Sequence, residues 1–198
     1  VPLILEKIYK KMILPQLSKT TMKVALNIPL LDSRIYAQIR KKLVDAFGGR
    51  FREVIVGGAA MNEEVTNFLY KIKFPFTIGY GMTECGPLIS YDHNDEYVPG
   101  SCGQILKGIM KVRIDSEDPY NKVGEIQVSG ENVMKGYYKN EEATSKVFTE
   151  DGWLRTGDLG TIDADNRIYI RGRSKTMILS SSGQNIFPEE IEARLNNL

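Results

Sequence analysis

The sequence predicts an α/β fold: a partial parallel-sheet βαβ unit, then a β-rich subdomain, then the start of a small C-terminal domain. Three observations predict it. Between Glu53 and Ile78 an apolar strand, a capped amphipathic helix and a second apolar strand follow one another, which is the order of a parallel crossover unit. After Pro87 the texture changes to short apolar runs separated by glycine, the pattern of a β-rich region. After Arg171-Gly172-Arg173-Ser174-Lys175, a basic link broken by glycine, a new apolar run (Met177-Ile178-Leu179), a polar run (Ser180 to Gly183) and a helix begin, the texture of a domain boundary. These changes divide the chain into a large domain over 1–172 (1–86 α/β, 87–172 β-rich), a link over 173–175 and the start of a small domain over 176–198.

Val1 to Ile13 reads as a helix, with Leu5, Ile8, Tyr9 and Met12 at helical spacing before Pro15 ends it. A second helix starts from Ser33 as N-cap, carries Ile35, Ile39, Leu43 and Phe47 on one stripe, and stops at Gly48-Gly49. Val54-Ile55-Val56 lacks polar alternation and suits a strand covered on both faces. Gly57 to Ala60 turns out of it, and Asn62 caps a helix with Glu63 and Glu64 in its first turn and Val65, Phe68, Leu69 and Ile72 as its buried stripe. The strand Phe74 to Ile78 follows. Two glycine turns, Gly57–Ala60 and Gly79–Glu84, are thereby expected at the carboxyl edge of neighbouring strands, where open α/β sheets bind ligands. Further strands are expected over Gln104–Ile114, Gly124–Ser129 and Arg167–Ile170.

Chemistry concentrates in Gly79-Tyr80-Gly81-Met82-Thr83-Glu84, where a glycine-rich turn presents an aromatic ring, a hydroxyl and a carboxylate. The ring offers a face to a purine and the carboxylate offers oxygen to Mg²⁺, although Gly-Tyr-Gly also makes ordinary turns. Asp158 stands between glycines with no cationic residue at i±4; it either caps a turn or accepts the two hydroxyls of a ribose.

At 198 residues, 42% hydrophobic and 26% charged, the chain can bury a real core. It has no apolar run of membrane-spanning length and no signal-peptide pattern, so a cytoplasmic or membrane-peripheral location is expected. Cys85 and Cys102 show neither a disulfide framework nor metal spacing, and His93, the single histidine, leaves no material for a histidine triad or zinc site. Residues 1–50 hold ten Lys and Arg against three Asp and Glu, and the remainder sixteen against twenty-two. The basic part suits an anionic membrane surface or an acidic cofactor, and equally a solvated helix face; nucleic-acid binding is not expected, for want of interleaved aromatics.

Four ordered motifs together resemble the adenylate-forming enzymes, which comprise acyl-CoA synthetases, adenylation domains and luciferases. They are Gly79 to Glu84, Gly124-Glu125-Ile126-Gln127-Val128-Ser129-Gly130 with Gly136-Tyr137-Tyr138, Trp153 to Gly160, and Gly172-Arg173 through Pro188-Glu189-Glu190-Ile191-Glu192. At the amino end, Val1-Pro2, Glu6-Lys7-Ile8 and Phe47-Gly48-Gly49-Arg50 leading to Gly57-Gly58-Ala59 look most like the long-chain fatty acid CoA ligases. The resemblance implies ATP, Mg²⁺ and coenzyme A, and a fatty acid activated as acyl-AMP and passed to the CoA thiol. It also implies roles. Gly58 and Ala59 would line the adenine opposite Tyr80, within a nucleotide-contacting turn that includes Gly81 and Met82. Thr83 would hold an α-phosphate oxygen and Glu84 would bind Mg²⁺. Asp158 would take the ribose hydroxyls with Arg173 nearby, Lys175 would be the hinge, and Gly183 would lie near the CoA pantetheine. A ligase for another carboxylate, one that loads a carrier protein, and a non-catalytic nucleotide-binding module remain alternatives.

Both ends read as cut: the family's phosphate loop is expected before residue 1 and its distal catalytic lysine after residue 198. A sheet edge and apolar surface left bare would favour self-association. Each missing electrostatic donor at such a site costs a factor of about 10² to 10³ in rate. The purified chain is therefore expected to form no acyl-AMP from ATP and palmitate; acyl-AMP in a clean preparation would contradict this.

Overall fold

The computed structural model describes residues 2–28, 31–58, 61–179 and 185–195. It divides into two compact units, Val1–Thr77 and Ile78–Leu198.

In the first unit, α1 (Pro2–Ile8) passes through a π-helical turn, Tyr9–Ile13, into α2 (Leu14–Leu17). Pro15 therefore does not end the helical path: it lies in the first turn of α2, where its missing N–H has no intrahelical partner to lose. Two contacts tie α1 and the π-turn to the start of α5 (Glu63–Lys71): Tyr9 Oη donates to Glu64 Oε1 at 2.8 Å, and Asn62 N donates to Glu6 Oε1 at 3.0 Å. The Tyr9 ring also packs 5.0 Å from that of Phe68.

After α3 (Thr20–Ala25), α4 (Leu31–Ala46) begins two residues before the expected cap Ser33. Asp32 already lies in its first turn, and its Oδ1 accepts the Ser33 N–H. Leu43 is the buried residue of α4, while Phe47 is 36% exposed, with its ring against Phe51 and Phe74. The helix stops as expected, with Gly49 N reaching back to Val44 O at 2.9 Å.

Next, β1 (Val54–Val56) pairs with β2 (Phe76–Ile78) as a parallel pair joined by α5. Asn62 caps α5 as its sequence position implies, its Oδ1 accepting from Glu64 N and Val65 N, and Val65, Phe68, Leu69 and Ile72 are all buried. β1 departs from expectation. Val56 is fully buried but Ile55 is 48% exposed, so among the described residues the face of β1 that carries Ile55 is not covered. Phe74 is not yet strand, since its N–H still closes on Leu69 O at the end of α5.

In the second unit, β3 (Tyr80–Gly81) and β4 (Leu88–Ser90) form an antiparallel pair around a 3-10 turn, Thr83–Cys85. Beyond it, β5 (Met110–Asp115), β6 (Gly124–Gly130), β7 (Leu154–Ile162) and β8 (Ile168–Arg173) make a four-stranded antiparallel sheet in that order. Between β6 and β7 lies α6 (Glu141–Val147), capped by Asn140, and the chain continues through the pair β9 (Ile178–Leu179) and β10 (Asn185–Ile186) to α7 (Pro188–Leu195). One core joins the hairpin to the sheet: Tyr80, Cys85 and Ile89 pack with Met110, Ile114, Ile126, Val128, Leu154 and Ile168.

The expected strand Gln104–Ile114 is two pieces, isolated bridges at Gln104 and Ile105 and then β5, separated by a turn at 107–109. The larger difference is β7, where glycine turns were expected. Gly160 belongs to that strand because the Tyr169 carbonyl passes where a Cβ would stand.

Gly81 has the same kind of reason. A Cβ there would collide with the Pro87 carbonyl and approach Leu88 Cα to 3.0 Å, against backbone that the Met82 N–H to Pro87 O bond holds in place. Gly81→Ala is expected to destabilise the chain by about 1–3 kcal/mol, the range for an overpacked site, read as a lower urea midpoint. An unchanged midpoint would mean that the hairpin yields freely.

Candidate nucleotide site

Asp158 is presented by a bulge in β7. Glu125 pairs with Leu159 and Gln127 with Arg155, so the stretch Thr156 to Asp158 stands opposite the single residue Ile126. Gly157 takes φ +73° there, a left-handed conformation that suits glycine, and such bulges re-aim the side chains beside them. Thr156 Oγ1 pins the bulge, donating to Ile126 O at 2.7 Å and accepting from Asp158 N at 3.1 Å. The Asp158 side chain is consequently 8% exposed.

Both of its oxygens are engaged. Tyr80 Oη donates to Oδ2 at 2.8 Å, and Arg173 Nε lies 3.0 Å from Oδ1, brought there because Asp158 and Arg173 are register partners across β7 and β8. Burial pushes the Asp158 carboxyl above its ordinary range, while the Tyr80 hydrogen bond and the Arg173 charge pull it down without cancelling the rise. The Tyr80 phenol is pushed well above its ordinary value, by burial first and by the neighbouring Asp158 charge second.

Glu84 forms a second cluster on the turn between β3 and β4. Its Oε1 accepts from Tyr137 Oη at 2.9 Å, and its backbone carbonyl accepts from Met134 N at 2.8 Å. Asn132 Nδ2 donates to Cys85 O at 2.6 Å and Leu88 O at 3.0 Å. The segment after β6 is thus a strap that holds the turn by backbone and side chain together. Thr83 is exposed beside it and Glu84 half-buried. The thiols take no part: burial pushes Cys85 and Cys102 up to about 11, so both stay protonated at neutral pH.

The structure therefore brings Tyr80, Asp158 and Arg173 into direct contact, with Gly81, Met82, Thr83 and Glu84 on the adjoining turn. Gly58 belongs to the first unit, exposed, with φ +83° and nothing within 4 Å of a Cβ position. Lys175 is exposed in the turn that follows β8, and Ala59 and Gly183 lie outside the described residues. Asp158 has a cationic partner in Arg173, fifteen residues away across a strand pair and beyond the reach of i±4 spacing. Tyr80 is 6% exposed, with its ring in the core and its hydroxyl on Asp158. Tyr137 lies within one of the four motifs, and its pairing with Glu84, 53 positions away, is invisible to spacing along the chain.

The donor set can be tested against the groups that the motifs imply. Among the described residues no three His, Cys, Asp or Glu converge as a metal cluster. Glu84 alone suits Mg²⁺, which takes one or two carboxylates and fills its octahedron with phosphate oxygens and water. Asp158 has lone pairs left for a diol, and the Arg173 side chain beside it is 68% exposed.

This architecture is that of adenylate-handling enzymes. ATP-bound MatB from Rhodopseudomonas palustris superposes with a TM-score of 0.68 at 31% identity, over 84% of this chain and 34% of that one. The o-succinylbenzoate CoA synthetase of Bacillus subtilis, solved with its acyl-adenylate intermediate, gives 0.66 at 28%, over 80% and 34%. Residues 3–138 match the family described as AMP-binding enzyme, and the chain belongs to that family. Among curated relatives, 4-coumarate-CoA ligase 1 of Narcissus pseudonarcissus is 36% identical over 84% of this chain and 32% of its own. Long-chain-fatty-acid--CoA ligase 1 of Saccharomyces cerevisiae is 30% identical over 91% and 27%. The chain spans between about a quarter and a third of the length of these relatives.

The Arg173 charge opposes the effect of burial on Asp158, so Arg173→Gln is expected to raise the Asp158 pKa further. A carboxyl whose folded value lies above its unfolded one stabilises the fold below the unfolded value and loses that contribution as pH rises through the folded value. The variant should therefore lose stability relative to the parent from mildly acidic pH upwards. A carboxyl-carbon NMR titration of Asp158 reads the shift, and a lower pKa in the variant would contradict the assignment.

Proposed function

We propose that the protein carrying this chain is an ATP-dependent acid–CoA ligase with a long-chain fatty acid as its substrate. A carboxylate oxygen attacks the α-phosphorus of ATP with loss of pyrophosphate, and the CoA thiol then attacks the acyl carbonyl with loss of AMP. The observation that carries the reading is Asp158, a buried carboxylate set on a bulge between a tyrosine hydroxyl and an arginine. Carboxylates are the natural partners of a vicinal diol, and one with fixed donors is preorganised for it. Glu84, oriented by Tyr137, would hold the Mg²⁺ that neutralises developing phosphate charge. Thr83, exposed beside it, would donate to a phosphate oxygen.

An aromatic carboxylate is the second reading, favoured by the 4-coumarate ligases, which match at 32–38% identity. A panel of long-chain, short-chain and aromatic acids on a ligase of the relatives' full length separates the two.

In such a ligase Asp158→Asn should weaken ATP binding by about 1.5–3 kcal/mol, the range for a charge-assisted hydrogen bond, and an unchanged ATP KM would reject the ribose role. Lys175, in the turn after β8, follows Ser174, whose N–H and hydroxyl are both held by Gly157 O at 2.9 and 3.1 Å. That anchor makes the next residue a natural pivot. Lys175→Pro should spare acyl-AMP formation and impair thioester formation, because only the second step needs the small domain to rotate; equal loss of both would count against a hinge.

A further inference from the structure

A groove of about 380 Å³ opens in the first unit, between one face of α4 and the carboxyl end of α5. Asp32, Tyr36 and Arg40 line it at helical spacing from α4, and Lys71 and Lys73 line it from α5 and the residues after it. It shares no residue with the nucleotide site. Three cations therefore meet one acid, and that acid already accepts the Ser33 N–H through Oδ1. Among the described residues none of the three cations is paired with a carboxylate; Lys71 Nζ lies instead over the Tyr36 ring, 5.0 Å from its centroid.

Two features set this cluster apart from a solvated basic face. Lysines at the end of α5 complement the helix dipole, but Arg40 comes from another helix and has no such reason to converge on them. Lys73 moreover holds φ +55°, closing its N–H on Tyr70 O at 2.9 Å, at a helix-ending position that glycine or asparagine fills with less strain. A cation kept there against backbone preference, at the rim of a concavity already rich in like charge, raises a repulsion that a bound anion removes.

We propose that this groove is a binding site for a phosphate-bearing anion. An excess of two positive charges matches a dianion. The lining supplies one planar guanidinium from α4 and two ammonium groups from the end of α5, a donor set that a phosphate group with three acceptor oxygens satisfies more fully than a flat carboxylate. The volume exceeds that of one phosphate, so the groove takes a pyrophosphate unit or a phosphate monoester with its organic arm.

The test is an NMR titration of the labelled 198-residue chain with pyrophosphate at low salt, alongside Arg40→Gln, Lys73→Gly and the double variant. Lys73→Gly removes the cation while keeping the left-handed backbone easy to form, so the variant is expected to stay folded, and Arg40→Gln supplies an independent removal. Saturable shifts confined to residues 31–40 and 71–73, weakened about tenfold or more in the double variant and lost at high salt, are the expected result. Flotation with phosphatidylcholine vesicles, with and without phosphatidylglycerol, identifies the source. Capture that needs the anionic lipid and disappears in the double variant assigns the phosphate to a lipid headgroup. The proposal is overturned if neither probe binds saturably, or if binding is unchanged in the double variant.

Discussion

A carboxylate taken out of water has to be satisfied by the protein, and the second unit is arranged around meeting that demand at Asp158. Desolvation disfavours the charged form, and leaving a buried charge without a partner costs about 3–5 kcal/mol. Tyr80 supplies a hydroxyl from the hairpin, Arg173 supplies a guanidinium from the end of β8, and Thr156 accepts the Asp158 N–H while gripping β6. The Asp158 side chain thus ties the hairpin and the end of β8 to β7, and the Thr156 hydroxyl ties the same bulge to β6. The apolar core beneath them sets the distance between hairpin and sheet, and Tyr80 belongs to both the core and the polar network.

That dual membership limits what either part can do alone. The hairpin turn cannot drift away from the sheet without uncovering Ile89 and Cys85, both fully buried, and without breaking the Tyr80 bond. The strap after β6 adds a second restraint through Met134, Asn132 and Tyr137. Thr83 and Glu84 therefore sit on a turn held from both sides, the condition under which a short polar motif can keep a fixed geometry towards a ligand.

What the sequence made legible was local. The α5 cap and stripe follow from one asparagine and a 3.6-residue period, and both ends of the interaction lie within a few positions. The glycine-rich turn and Asp158 were marked by composition, but the partners of Asp158 lie 78 positions before it and 15 after it. Spacing rules along the chain contain no such pairings. β7 was hidden because its glycines resemble turns, whereas Gly160 makes room for the Tyr169 carbonyl and Gly157 forms the bulge. α6 carried a usable signal that was passed over, Asn140 ahead of Glu141 and Glu142. Pro15 misled because a proline ends a helix only where an N–H is needed, and the π-turn before it had already reset the ladder.

Two carboxylates of the second unit, Asp158 and Glu84, show how one kind of donor can sit in different surroundings. Each accepts a tyrosine hydroxyl, at 2.8 Å for Asp158 and 2.9 Å for Glu84. Asp158 is buried beside a cation, and in the proposed ribose role its remaining acceptor capacity would go to neutral hydroxyl donors. Glu84 is half-buried beside an exposed threonine, and in the proposed metal role that exposure would let water complete the shell of a hard cation that sheds its hydration reluctantly. Under the proposed roles, exposure rather than residue type would divide the labour between them. Exchanging the two environments would then leave a metal without room for its waters and a diol in competition with bulk solvent, which gives the bulge at Gly157 and the strap to Tyr137 as much weight in the proposal as the acids themselves.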